Sequence, residues 1–539
     1  MSDHSYPRPQ LKRDSYISLN GQWDFTISET GNFPDEYDRT INVPFCPESE
    51  LSGINERVTP GDYMFYKRTF SLPEGFIKDR VLLHFGAVDQ KCAVKINGRI
   101  AGNHEGGYDA FSFDITDLLK EENVIEVCAA DDLDGLFPMG KQKVKRGGMW
   151  YTPVSGIWQE VWLESVCEDY IRKIKISCDL NMAKIEIEGP QSGQLILESG
   201  QSFEIRNGCA DVSPSVPVNW TPENPYLYNF TIRAGEDEIS SYFALRTVDI
   251  RTTDGIPRLC LNGKPYFFNG LLDQGYFQKG IYTPEDPADY EKDILTAKSL
   301  GFNTLRKHIK IEPEAFYYAC DRLGMAVFQD MVNNSKYSFF KNSVLPMIGF
   351  TRLSDKNMNK NEKTRKAFIK GVETAVDQLC AHPCIVYWTI FNEGWGQFES
   401  TNMYYMLKKL DPSRIIDSAS GWFSGGKSDV KSLHVYFKKF KMPKPKYRPV
   451  VLSEFGGYVY KIEEHSFNKK KTYGYKFFKD EASYAEGVKK LYLEEILPNI
   501  DKGLSGAIYT QISDVEDETN GLITYDREVV KLPEGWLEN

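Results

Sequence analysis

The chain has 539 residues, which at roughly 150 residues per domain suggests about three domains. Hydrophobic residues make up 41% and charged residues 26%, values that are typical of globular proteins and exclude a mainly disordered or fibrous chain. Lysine and arginine number 65 against 76 aspartate and glutamate residues, so the formal net charge is −11. Binding of nucleic acid through the overall field of the protein is therefore not expected.

The N-terminal residues and the cysteines bear on location. Residues 1–13 are polar, unlike the apolar centre of a signal peptide, and no run of about 18 apolar residues predicts a membrane span. The ten cysteines lack close regular spacing, which favours free thiols in a reducing compartment. We therefore expect a cytoplasmic protein without a membrane partner. Cys380 and Cys384 have no second pair of metal ligands nearby, so no metal site is predicted there.

Short strands separated by turn residues dominate the first half of the chain. Residues 81–85 form such a strand, and Asn97-Gly98 is a turn signal between two alternating segments, a pattern that indicates an antiparallel β-sandwich over residues 1–167. The pattern of short strands continues over residues 168–249 and predicts a second, smaller sandwich of the immunoglobulin-like type.

Beyond residue 250 the pattern changes to strands that alternate with helices. Helices are predicted over residues 286–300, 312–323 and 364–379. The predicted strands cover residues 266–271, 302–306, 325–330, 385–392, 414–418, 432–436, 450–454 and 506–510. Eight strand–helix units in this length predict a (β/α)₈ TIM barrel over residues 250–539.

Two glutamates stand at the ends of barrel strands. Glu393 follows the apolar run of strand four, and Glu454 follows that of strand seven. Barrel enzymes carry their chemistry at these strand ends, so the two carboxylates are expected to face each other across the mouth. In sugar hydrolysis one carboxyl group protonates the leaving oxygen and the other attacks the anomeric carbon. The simpler alternative is that each glutamate caps a strand or pairs with an arginine.

Motifs along the whole chain resemble the family 2 glycoside hydrolases. The opening and closing segments of the first sandwich are similar to the family's sugar-binding jelly-roll domain, and the strand ends of the barrel are similar to its catalytic domain. The matching segments are residues 18–23, 42–44, 155–161 and 303–308, together with Asn392-Glu393 and Ser453-Glu454. The resemblance implies an N-terminal jelly roll, an immunoglobulin-like sandwich and a C-terminal TIM barrel.

The resemblance also implies a role for each matching residue. Glu393 would be the acid/base and Glu454 the nucleophile of a retaining mechanism, with Asn392 on the sugar 2-hydroxyl. Arg306 and Tyr436 would keep the nucleophile ionised and oriented. Further candidates for the sugar-binding wall are His308, His434, Asp273, Gln274 and Trp422.

Departures from the family pattern bear on the substrate. Family glucuronidases carry an Asn-x-Lys motif whose lysine pairs with the sugar carboxylate, whereas Asn520-Gly521-Leu522 has no lysine. Gly148 precedes Met149-Trp150, where the large galactosidases have an aspartate, and residues 330–333 lack their magnesium motif. We therefore expect no cofactor or metal and a neutral exo-β-glycosidase, a β-galactosidase first and a β-glucuronidase or another family β-glycosidase as the alternative.

Two other classes of function remain open from the sequence. One is a carbohydrate-binding protein whose barrel has lost catalysis, and the other is a scaffold protein whose mouth is filled by its own loops. The presence of both glutamates argues against the first of these. The expected partners are a carbohydrate substrate and further copies of the same chain in a homo-oligomer. Residues 336–363 form a long segment that would shape the pocket as a lid.

Overall fold

A computed structural model describes residues 6–338, 340, 342 and 354–537. The first part of the chain forms two antiparallel sheets that pack into a sandwich. In spatial order, the four-stranded sheet consists of Tyr16–Ser18, Val161–Val166, Arg80–Phe85 and Phe111–Asp114. The six-stranded sheet consists of Arg39–Val43, Gly21–Ser28, Tyr63–Ser71, Glu122–Ala130, Lys91–Ile96 and Arg99–Glu105. A short pair, Val88–Asp89 and Gly156–Ile157, completes this region.

Buried apolar residues at every second position of the strands form the core of this first sandwich. Val81, Leu83 and Phe85 belong to one buried cluster with Val94 and Ile96 of the facing sheet. Successive side chains of a strand point to opposite faces, so every second residue meets the other sheet.

The turn predicted after Ile96 is present in the structure. Asn97 and Gly98 both have positive φ, 53° and 78°. Ile96 lies opposite Arg99 in the ladder. This is the geometry that a two-residue hairpin requires.

The second region is a seven-stranded antiparallel sheet. In spatial order its strands are Lys173–Cys178, Ala183–Glu188, Cys209–Val212, Ser202–Arg206, Ser192–Leu197, Tyr228–Ala234 and Asp237–Phe243. Alternate residues of all seven strands form a single buried cluster, which is the core of this region. A small meander follows, made of Val248–Thr253, Ile256–Leu261 and Lys264–Pro265.

Eight parallel strands form the barrel. Numbered 1 to 8 along the chain, they are Phe268–Asp273, Thr304–Lys307, Ala326–Asp330, Ile385–Thr389, Ile415–Asp417, Lys431–Val435, Val450–Gly456 and Leu504–Thr510. Their spatial order is 5-4-3-2-1-8-7-6. Strands 5 and 6 have no backbone pairing within the described residues, and Ser420 Oγ lies 3.2 Å from Ser432 Oγ across this seam. Leu259 of the meander packs with Phe268 and Phe328 inside the barrel.

The helices of the barrel depart from the predicted count. In the part of the barrel that the structure describes, the α-helices are Ala288–Ser299, Glu314–Leu323, Glu362–Leu379, Ser400–Leu410, Glu481–Leu491 and Leu497–Ile500. The predicted TIM barrel with eight strands is confirmed, but residues 418–430 and 436–449, which link strands 5, 6 and 7, contain no helix. Glycines in the first link and prolines in the second disfavour helical backbone. No helix in the described part of the chain has the length and apolar character needed to cross a membrane.

Candidate active site

Two carboxylates lie together at the C-terminal mouth of the barrel. Glu393 follows strand 4, and its backbone N–H donates to Ser420 O at 3.0 Å. Glu454 lies within strand 7. One carboxylate oxygen of each glutamate and a ring nitrogen of His434 all lie within 4.8 Å of one another. The barrel thus brings two acidic groups from distant parts of the sequence within reach of one sugar ring.

The backbone at Glu393 is held in an unusual conformation. Its φ is +52°, in the left-handed region that a residue other than glycine rarely adopts. Asn342 Nδ2 donates to Glu393 O at 3.2 Å, and the N–H of Glu393 is paired as described above. Such strain persists where the surroundings fix it and is concentrated at functional sites.

Glu454 accepts hydrogen bonds on both carboxylate oxygens. Arg306 Nη1 donates to Oε1 at 3.0 Å, and the hydroxyl of Tyr436 donates to Oε2 at 2.5 Å. Arg306 is buried and also donates to Asp330 Oδ1 at 3.0 Å and to Asn392 Oδ1 at 2.9 Å. The guanidinium fork therefore fixes strands 2, 3, 4 and 7 around the nucleophile candidate.

These neighbours determine the charge of Glu454. Burial alone raises the pKa of this carboxyl group, but His434 and Arg306 outweigh it and lower the pKa to about 2. Burial also raises the pKa of Tyr436, and the Glu454 carboxylate raises it further. Tyr436 therefore stays a hydrogen-bond donor while Glu454 stays an anion.

Glu393 has a different environment. Its side chain is 19% exposed, against 6% for Glu454. His434 Nδ1 lies 2.9 Å from Glu393 Oε1 and 3.5 Å from Glu454 Oε2. The other ring nitrogen of His434 lies 2.9 Å from Ser420 Oγ. One carboxylate is thus enclosed by donors, while the other stays open for proton exchange, which is the division of roles that acid–base chemistry needs.

The structure gives His308 and Asp330 supporting contacts. His308 Nδ1 lies 2.7 Å from Asp330 Oδ2, so the same aspartate holds His308 and Arg306. Burial and the charge of Lys141 lower the pKa of His308 to about 4, which keeps the imidazole neutral near neutrality. Asp330 lies at the end of strand 3, a position that could have singled it out from the sequence.

The other three candidates for the sugar-binding wall, described next, make contacts with different parts of the structure. Trp422 meets the ring of His434 edge-on at 5.4 Å between centroids, and its indole N–H donates to Asn342 O at 3.1 Å. Gln274 donates to Gln511 Oε1 at 2.9 Å. Asp273 accepts from Lys307 Nζ at 2.6 Å, so its observed contacts are structural. A sugar-binding role for these three residues stays a prediction. Residues 339, 341 and 343–353 of the proposed lid lie outside the described residues.

Glu393, His434 and Glu454 are also spaced to hold a metal ion. A dication there would face the Arg306 guanidinium, which lies 3.0 Å from the same Glu454 carboxylate. A dication bound to that carboxylate would be close to the guanidinium and repelled by it, so the residues fit an acid–base pair better than a metal site.

Replacing Arg306 by glutamine is expected to raise the pKa of Glu454. The loss of an adjacent cation moves a carboxyl pKa upward by about one to three units. The acidic limb of the kcat/KM profile of the variant should shift upward in pH by a comparable amount, because protonated Glu454 cannot attack. Arg306→Lys retains the charge and should shift the limb less. An unchanged limb in Arg306→Gln would contradict the assignment.

The fold and the site define a barrel protein with paired acidic groups at its mouth, preceded by two β-sandwich regions. The family model for the sugar-binding domain of glycosyl hydrolases family 2 matches residues 14–166, and the model for the family's TIM barrel domain matches residues 251–474. Together the matches span more than half of the chain. The chain belongs to glycosyl hydrolases family 2.

Individual relatives are distant. A β-galactosidase of Thermoanaerobacter pseudethanolicus is 25% identical over 83% of this chain and 62% of its own length. A putative β-glucuronidase of Formosa agariphila is 24% identical over 66% of this chain and 47% of its own length. The chain therefore spans less than two thirds of these two curated relatives.

Solved structures share the fold over nearly the whole chain. The β-D-glucuronidase of Dictyoglomus thermophilum has a TM-score of 0.75 at 20% identity, covering 99% of this chain and 97% of that one. A family 2 β-galacturonidase of Eisenbergiella tayi has a TM-score of 0.70 at 20% identity, with the same coverage. At this identity the likeness establishes the multidomain fold.

Proposed function

We propose that the protein is a retaining exo-β-glycosidase that hydrolyses terminal β-linked sugars by double displacement. The observation that carries the proposal is the spacing of Glu393 and Glu454, whose nearer oxygens lie within 4.8 Å. Retaining glycosidases separate their carboxyl groups by about 5–5.5 Å, whereas inverting ones leave about 6.5–9.5 Å for a water molecule. The observed spacing supports direct attack by one carboxylate.

The environments of the two carboxyl groups support their separate roles. Glu454, ionised and oriented by Arg306 and Tyr436, would attack the anomeric carbon and form a glycosyl-enzyme ester. Glu393 would donate its proton to the departing oxygen and then take one from the water that hydrolyses the ester. Arg306 donates a hydrogen bond to Asn392 Oδ1, so the amide N–H₂ of Asn392 is the group that remains available to a sugar hydroxyl.

These contacts favour catalysis over binding alone. A protein that only bound carbohydrate would have no need to keep a buried carboxylate ionised beside a second carboxyl group. The cost of burying the Glu454 charge is met by Arg306 and Tyr436, whose side chains are directed at its oxygens.

The sugar is the open part of the proposal. The sequence favours a neutral β-galactoside, with a β-glucuronide as the alternative. Relatives named β-galactosidase and putative β-glucuronidase are equally distant, at 25% and 24% identity. The neutral preference rests on the absence of a lysine beside Asn520, but Lys141 of the first sandwich acts electrostatically on Glu454 at the mouth. Charge on the sugar is therefore the property to test.

A panel of nitrophenyl β-glycosides with the purified protein tests the function. We expect turnover of at least one substrate. The first sugar product should be the β-anomer, as identified by proton NMR before mutarotation sets in. Two displacements restore the configuration of the substrate, whereas one displacement inverts it. An α-anomer as first product would contradict the retaining mechanism, and inactivity toward every β-glycoside would contradict the function.

A further inference from the structure

A loop of the first sandwich reaches the mouth of the barrel. The backbone N–H groups of Met139 and Gly140 donate to Asn333 O at 3.0 Å and 3.3 Å. A β-carbon on Gly140 would come within 3.1 Å of Ile309 O. Ile309 follows strand 2 and Asn333 follows strand 3, the strands that carry Arg306 and Asp330. The backbone of the next residue of the loop, Lys141, is thereby held next to the segments that follow strands 2 and 3 at the mouth of the barrel.

This part of the loop is held by side chains as well as by backbone. Gln142 Nε2 donates to the hydroxyl of Tyr108 at 3.1 Å, and Gln142 Oε1 accepts from Val154 N at 2.6 Å. Gly140 has a φ of +66°, and a side chain there would meet the hydroxyls of Tyr108 and Tyr282 at 2.9 Å and 3.0 Å. Lys141 therefore extends from a preorganised backbone, which is how a specificity contact is held in place.

The ammonium of Lys141 is not paired with any carboxylate of the described residues. Within the described residues it forms no hydrogen bond or ion pair, although its side chain is half-buried. Its charge nevertheless acts on the barrel: it lowers the pKa of His308 and Glu454 and opposes the rise that burial causes in the pKa of Glu518. His308 follows strand 2, Glu454 lies in strand 7 and Glu518 follows strand 8, so the charge of Lys141 acts on groups at the C-terminal mouth of the barrel.

Glu518, the acidic side chain of that segment on which the charge of Lys141 acts, is already hydrogen-bonded. Glu518 accepts from the hydroxyl of Tyr151 and from Asn520 Nδ2, the latter at 3.0 Å. Asn520 in turn accepts from Gln511 Nε2 at 3.0 Å. Asn520, beside which the sequence lacks a lysine, is therefore held in a hydrogen-bonded network with Glu518 and Gln511, and the charge of Lys141 acts on this network from another part of the chain.

We propose that Lys141 is a specificity-determining residue, by which the first sandwich supplies the cation that pairs with a carboxylate on the sugar held at Glu393 and Glu454. The substrate class is then a β-uronide, and this inference rests on the proposed glycosidase function. A bound neutral sugar would cover an ammonium without giving it a counter-charge, which is costly. A uronate carboxylate supplies that charge, and Lys141 in turn offsets its repulsion from Glu454.

The test compares Lys141→Met with Lys145→Met. Lys145 is an exposed lysine of the same loop, which makes it the matched control. For both variants and the unaltered protein, kcat/KM is measured on nitrophenyl β-glucuronide, β-galacturonide, β-glucoside and β-galactoside. We expect the unaltered protein to prefer one uronide at least about tenfold over the matching neutral sugar. Lys141→Met should lower kcat/KM for that uronide by about 10- to 100-fold, the scale of one charge-assisted hydrogen bond.

The ratio of uronide to neutral activity separates specificity from structure. Lys141→Met should lower kcat/KM for the neutral sugars far less than for the uronide, Lys141→Arg should retain much of the uronide activity, and Lys145→Met should leave all activities unchanged. An equal loss on uronide and neutral substrates in Lys141→Met would overturn the proposal, because it would indicate a general effect on Glu454 or on folding. Preference of the unaltered protein for neutral sugars would also overturn it, while leaving the glycosidase function intact.

Calorimetry gives a second readout that does not depend on turnover. Free glucuronate and galacturonate should bind the unaltered protein more tightly than glucose and galactose, and Lys141→Met should remove the difference. If no β-glycoside is hydrolysed, the glycosidase function fails, but this binding difference still supports the role of Lys141. Equal binding of charged and neutral sugars would overturn that role.

Discussion

Glu454→Gln is expected to abolish turnover, with a fall in kcat/KM of at least about four orders of magnitude, the scale on which loss of a catalytic nucleophile acts. An amide has nearly the shape of a carboxylate, so Tyr436 can still donate to the side-chain oxygen and Arg306 keeps Asp330 as its anion. The variant loses the negative charge that attacks the anomeric carbon. Its loss of activity should therefore be far larger than any change in its thermal unfolding midpoint.

Two comparisons make this result specific to Glu454. Glu464→Gln removes an exposed glutamate outside the site and should leave kcat/KM unchanged. Azide added to Glu454→Gln should not yield a β-product, because an external nucleophile in place of Glu454 attacks once and inverts the anomeric carbon. Activity of Glu454→Gln within tenfold of the unaltered protein would rule out Glu454 as the nucleophile.

The strand ends were the most predictable part of the site. An apolar run that closes on Asn392-Glu393, and another that closes on Glu454, predict carboxylates at the mouth because parallel barrel strands all present their C-terminal ends on one face. The contacts of Arg306 and Tyr436 with Glu454 follow the same rule, since strands 2 and 6 end at that face. Local periodicity was sufficient to place these strands in the barrel.

Features that depend on distant parts of the chain were not predictable in this way. Lys141 comes from the first sandwich, and no local pattern indicates that its loop is hydrogen-bonded to Asn333 of the barrel. The two helix-free links were missed because the count of strand–helix units assumed a regular barrel. His308 shows a further limit: the sequence suggests it for the sugar-binding wall, but its partner Asp330 is a neighbour only in the folded barrel.

Glu393→Ala is expected to separate the two half-reactions of the enzyme. With a good leaving group such as nitrophenolate, departure needs no proton, so the glycosyl-enzyme should still form on Glu454. Hydrolysis of that ester needs a base to activate water, so kcat should fall by about two to four orders of magnitude. Measured by stopped flow, this gives a burst of nitrophenolate followed by slow turnover. Substrates with poor leaving groups should show no burst, because their departure also requires the lost proton.

Azide provides the decisive measurement for Glu393. It is a nucleophile that needs no base, and removal of the partly exposed Glu393 side chain opens room beside the anomeric carbon and removes a negative charge that would repel it. Azide should therefore restore turnover of the Glu393→Ala variant and give a β-glycosyl azide, the product of two successive inversions. Gln in place of Glu393 keeps the space filled and should respond more weakly. Full activity of Glu393→Ala without azide, or an α-glycosyl azide with it, would refute the acid/base role of Glu393.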